Sequence, residues 1–190
     1  MMTKIASFLF IGFLILAALS CKAQIIPVED HINYMDNEIE IPDGAYVKDV
    51  NNLLVKFIGT WKGNFNNKNH EFRIIKHTTN FLGILKDELL MRYKITDSNG
   101  ATIEDTTKLT DDNIYVIKGD YLDKNKSTYV LSYIGKEYNC GQNGNVFIEV
   151  STNDLDNMKF FLVPDGEIID CPYSEVSQVL PIALIILCKQ

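Results

Sequence analysis

Three histidines, four cysteines and 25 acidic residues are the groups in this chain of 190 residues that could do chemistry. His70 and His77 differ by an odd number, so on one regular strand they face opposite ways and do not share a metal. His31 stands apart, in a polar N-terminal stretch. Neither Gly-x-Ser-x-Gly nor His-Glu-x-x-His occurs, and no Ser-His-Asp or Cys-His order suggests itself. Asp123-Lys124-Asn125-Lys126-Ser127 opens like a calcium loop. Its sixth position is Thr128 where Gly makes the turn, and its twelfth is Ile134 where a bidentate Glu belongs. No two carboxylates stand out as a glycosidase pair. These residues yield no catalytic group, no metal site and no cofactor, and the expectation is a protein that is not an enzyme.

The cysteines say more. Without a Cys-x-x-Cys, neither a thiol redox site nor a zinc ribbon is supported. Cys21 ends a segment in which Lys4 precedes a nearly unbroken apolar run from Ile5 to Leu19. That run is short for a membrane span and has the length of a signal-peptide core, so residues 1–20 read as a signal peptide. Two cuts fit. Ala18-Leu19-Ser20-Cys21 resembles a bacterial lipobox, which would leave an acylated Cys21 at the new terminus. Cys21-Lys22-Ala23 is the small-x-small site of ordinary secretion into the periplasm or beyond. Lys22 rather than Asp resembles the sorting signal for the outer membrane, periplasmic face. Export places Cys140, Cys171 and Cys188 in an oxidising compartment. Cys140 and Cys171 sit in turn-like surroundings, Asn139-Cys140-Gly141 and Asp170-Cys171-Pro172, and are the expected disulfide. Cys188 lies in an apolar run and is expected as a free thiol buried in a closing strand.

The elements that must hold these groups are strands. The composition is 46% hydrophobic and 11% aromatic, too apolar for a disordered chain. Lys+Arg 18 against Asp+Glu 25 gives a net charge of -7, and no basic stripe appears. Nucleic acid and electrostatic docking on anionic lipid are therefore excluded as partners, and membrane contact is expected through the lipid anchor only. Residues 21–48 read as a tether and N-terminal extension. Asp49 could cap a short helix in which Val50, Leu53, Leu54 and Phe57 fall at i, i+3, i+4, i+7. From Thr60 the period is two. Strands are predicted at 60–65, 70–78, 88–96, 101–108, 113–118, 128–134, 145–151, 158–163 and 180–188. In the clearest, Leu89, Met91, Tyr93 and Ile95 share one face while Arg92 and Lys94 share the other. Short connections imply an antiparallel meander, and closure of a meander this long removes its exposed edges. The predicted fold is an all-β barrel over residues 49–190, closed or nearly closed, with 8–10 strands and a short helix before the first.

Phe57-Ile58-Gly59-Thr60-Trp61-Lys62-Gly63 resembles the opening of the calycins, the lipocalins and fatty-acid-binding proteins. The resemblance implies that Gly59 and Trp61 plug one end of the barrel. It departs from fatty-acid-binding proteins because Asn64 to Asn69 leaves room for a hairpin but not for a helical lid. A second resemblance covers nearly the whole chain after the signal. Ile41-Pro42-Asp43-Gly44, Asp49-Val50-Asn51-Asn52, Gly59-Thr60-Trp61 and Ile95-Thr96-Asp97-Ser98-Asn99-Gly100 resemble an uncharacterised family of small exported proteins of Bacteroidota. No activity comes with that likeness. Asp105-Thr106-Thr107 resembles the O-glycosylation site of such proteins, but so short a motif recurs by chance and an ordinary polar strand position is the favoured reading.

Two uses remain open from sequence. One is a filled barrel serving as an envelope interaction or structural protein. The other is a lipocalin-like module for a small neutral apolar ligand. Tyr93, Met91, Tyr129, Leu131, Tyr133 and Phe160 are the bulky candidates for the interior. Arg73 and Arg92 alternate against the apolar face and should point outward, which disfavours a fatty-acid carboxylate inside.

Overall fold

A computed structural model describes residues 24–165, 168, 171–172 and 178–190. The chain is all-β: β1 (Ile25–Pro27), α1 (His31–Asp36), β2 (Tyr46–Lys48), β3 (Gly59–Phe65), β4 (Lys68–Phe81), β5 (Ile84–Asp97), β6 (Thr102–Asp105), β7 (Ile117–Leu122), β8 (Thr128–Ile134), β9 (Asn143–Ser151), β10 (Asp154–Pro164) and β11 (Ile185–Lys189). β3, β4, β5, β7, β8, β9, β10 and β11 pair antiparallel in turn. The ring closes through β11 on β3 and β5 on β7, giving an eight-stranded up-and-down barrel. β6 pairs with the upper part of β5, on the edge that β7 joins lower down, and β1 and β2 add a short parallel extension to β5.

Alternation explains the wall. Phe72 opposes Tyr93 and Ile74 opposes Met91 across β4 and β5, and all four are buried inside. Their neighbours Glu71, Arg73 and Lys94 face out. The ends are distinct. At the upper end β3 turns into β4 through Asn66-Asn67, both with positive φ (48° and 58°), which Asn tolerates in a two-residue hairpin. At the lower end Gly59 begins β3 opposite Ile74, but β4 and β5 continue past it to Phe81 opposite Ile84.

Several expectations change. Residues 24–48 do not form a free tether, because Ile26, Val28, Ala45 and Val47 are buried in the main core. The helix expected after Asp49 shrinks to one 3₁₀ turn at Val55–Phe57, since Asn52 takes a left-handed φ of 55°. Only Leu54 and Phe57 are buried there, the i, i+3 spacing of a threefold helix, while Val50 and Val55 stay exposed. The strand expected at 113–118 falls at Ile117–Leu122, and that expected at 101–108 contracts to Thr102–Asp105. The closing strand is Ile185–Lys189 rather than 180–188.

An acidic pair fastens the extension to the barrel. Asp87 accepts hydrogen bonds from the Tyr46 hydroxyl (2.8 Å), the Thr78 hydroxyl (2.7 Å) and the Asp49 amide (3.1 Å). Asp49 in turn accepts from the Leu53 amide at 2.7 Å and lies 3.5 Å from Lys76 Nζ. Burial opposes the charged form of Asp87, but Thr78, Tyr46 and the Asp49 amide outweigh it, aided by Lys76, and hold the carboxyl below the usual range. Its stabilising effect is therefore present above the unfolded carboxylate value, near pH 4, and is lost as pH falls through the lower folded value. Asp87→Asn is expected to cost about 1–3 kcal/mol at pH 7 by leaving these donors poorly matched. Urea titrations from pH 7 to pH 3 should show the gap between parent and variant closing below about pH 4.

Candidate functional site

The barrel interior is where a small-molecule site of this architecture would lie, and here it is occupied by side chains. Phe72 stacks on Phe160 with ring centroids 4.5 Å apart, and Tyr93 packs against Phe72 and Tyr133 at 6.4 Å each. Met91, Tyr93, Tyr129, Leu131, Tyr133 and Phe160, the bulky candidates named from sequence, are all buried. The Tyr93 hydroxyl donates to Glu104 Oε1 at 2.9 Å, and Lys136 Nζ lies 3.7 Å from the same oxygen. The Leu89 amide donates to the Tyr129 hydroxyl. Burial pushes all three tyrosine hydroxyls well above their ordinary range, so they stay neutral. Among the described residues, His70 Nδ1, buried towards the upper end, has no hydrogen-bond partner. Burial also lowers the His70 pKa and favours the neutral ring.

The lower end is built on β3. Trp61 is fully buried and donates its indole N–H to Phe57 O at 2.8 Å. Lys189, opposite Trp61 on β11, holds its ammonium 5.1 Å from the ring centroid. Gly59 has a φ of 137°, and a Cβ there would stand 3.1 Å from Lys189 Cε, so the position combines an unusual backbone with a close approach. β3 and β4 are joined directly by their hairpin, with no helical lid.

Arg73 and Arg92 both lie on the outer wall, directly opposite one another. Arg73 binds Glu71, and Arg92 binds Leu109 O and Asp111. Neither offers a carboxylate anchor to the interior. Clefts do exist outside it. One of about 690 Å³ runs over the outer wall beside Lys62, Glu71, Lys94 and Cys188. Another of about 400 Å³ sits at the upper end between the Asn66 turn and residues 178–182.

Cys140 and Cys171 are joined as a disulfide. Cys188 is free, as expected, but exposed rather than buried, because Ile185 and Leu187 take the inward positions of β11. Cys21 lies outside the described residues. Thr106 is fully buried, with its hydroxyl and amide bonded to Tyr93 O, as befits a structural polar position. Among the described residues no group of three His, Cys, Asp or Glu side chains could hold a metal. What sequence reasoning missed is the Glu104–Tyr93–Lys136 cluster, whose members come from three separate elements with no shared spacing.

The geometry defines a class: a closed antiparallel eight-stranded barrel with a packed interior and a disulfide near its upper end. Within that class, the chain belongs to a family of unknown function, DUF6705, whose pattern matches residues 2–173. No curated protein and no solved structure is similar enough to count as a match.

Proposed function

We propose that this protein is an exported envelope lipoprotein, held at a membrane by acylation of Cys21, that works as a non-catalytic interaction or structural module. The observation that carries the second half is the filled interior. The Phe72–Phe160 stack and the buried tyrosines leave the barrel packed where a carrier would be hollow. The Cys140–Cys171 disulfide supports the first half, since such bonds persist in oxidising compartments. Lys22 favours the outer membrane, and the partner would be another envelope protein rather than nucleic acid.

Mass spectrometry of the protein drawn from its own membranes tests both halves. The denatured chain should begin at residue 21 and carry two or three acyl groups. The native chain should carry no further small molecule. A bare terminus at Gln24 would sink the anchor, and a stoichiometric apolar adduct released on denaturation would establish the carrier reading instead.

A further inference from the structure

The two hairpin turns at opposite ends of β4 differ in a way that the fold does not require. Both are two-residue turns with positive φ at each central position. The upper one is Asn66-Asn67, polar and suited to that backbone. The lower one is Leu82-Gly83, with Leu82 at φ 51°, a conformation that bulky side chains rarely adopt. Leu82 is 84% exposed and its neighbour Phe81 72% exposed. Two large apolar side chains thus stand at the tip of an arm that runs seven pairs beyond the Gly59–Ile74 pair. That is about 23 Å of strand. Neither packing nor turn chemistry accounts for them.

The register says what lies beside this tip. Ile25 pairs with Tyr46 and Tyr46 with Leu85, all in parallel, so residues before Ile25 and before Leu85 lie toward the same end. Gln24 is fixed there by its carbonyl, which accepts the Tyr46 amide at 2.8 Å. β1 stands two strand spacings from β5, about 10 Å. Cys21 is three residues from Gln24, a reach of at most about 11 Å. An acylated Cys21 and the Phe81–Leu82 tip can therefore meet one plane. The barrel wall is an unsuitable lipid face, since it carries Lys62, Glu71, Arg73, Glu149 and Lys159. Glu38, Glu40 and Asp43, exposed on the loop entering β2, would repel anionic headgroups.

We propose that the β4–β5 turn is a second membrane contact, in which Phe81 and Leu82 dip into the headgroup–acyl boundary of a membrane and orient the barrel upright on its anchor. The proposal rests on the reading of Cys21 as that anchor. The contact is apolar, so it needs no anionic lipid.

Full-length chain carrying Cys188→Ser and Leu82→Cys, with an NBD fluorophore on residue 82, is reconstituted into neutral vesicles of phosphatidylethanolamine and phosphatidylcholine. The emission should shift to the blue and fall about twofold or more when the vesicles carry shallow nitroxide lipids, as for a group at the interface. The same probe at Ile103→Cys, on β6 at the far end of β5, should stay water-like. A chain that floats with the vesicles, acylated by mass, yet shows a water-like probe at residue 82 overturns the proposal and leaves the anchor standing. An unacylated chain left in solution overturns both. In a Phe81→Cys, Leu82→Asn variant, whose turn suits Asn, quenching at residue 81 should weaken. Quenching unchanged by loss of Leu82 counts against a dipping tip.

Discussion

Phe160→Ala should destabilise the protein by about 3–5 kcal/mol, the usual cost of removing a fully buried aromatic ring. Phe160 has no exposed surface, and its ring is stacked on Phe72 in the middle of the barrel. The measurement is the urea midpoint at constant slope. The same variant carries a functional consequence. Its vacated space, lined by Phe72 and its neighbours, should stay dry and admit benzene, which would raise the variant's melting temperature and leave the parent's unchanged. Stabilisation of the parent by benzene would show that the barrel already holds a usable cavity.

The second large effect concerns the disulfide. Cys140 and Cys171 close a segment of sequence separation 31. Removing the link by a double change to Ser should cost about 3–4 kcal/mol in the chain-entropy account. Cys188→Ser should change stability by less than about 0.5 kcal/mol, as for other exposed positions. Non-reducing peptide maps should show the Cys140 and Cys171 peptides joined and the Cys188 peptide free. A Cys188 peptide linked to either would contradict the pairing.

How much of this was legible in the sequence depended on whether each strand had two unlike faces. Leu89, Met91, Tyr93 and Ile95 alternate with charged and polar partners, and there the inward face, the closure and the outward arginines could all be read. The run Pro181 to Cys188 is apolar on both faces. Ile182, Leu184, Ile186 and Cys188 lie exposed, while Ile185 and Leu187 are buried. With no polar residue to mark the outer side, the run does not show which set points inward, and Cys188 reads as buried where it is exposed. β1 and β2 span three residues each, too short to show a period, so their place in the sheet was invisible. β7 runs through Gly119, a residue that strands usually avoid, to Leu122. Gly119 is required where Leu89 N and the Tyr129 hydroxyl come within 3 Å of a would-be Cβ. The disulfide was legible because turn chemistry surrounds both cysteines. The packed interior was legible only as a list of bulky residues, since volume is a property of their arrangement.

Closure of the ring by β11 against β3 has a bearing on how the chain comes to be folded. Lys62 and Trp61 find their strand partners at Cys188 and Lys189, more than a hundred residues later. Bringing such distant segments together is slow relative to local pairing. The β4–β5 hairpin can zip by itself, but no cylinder exists until Ile185 to Lys189 have been synthesised. Until then any sheet the chain forms leaves the β3 and β10 edges that β11 covers unpaired, and such edges need protection from neighbouring chains.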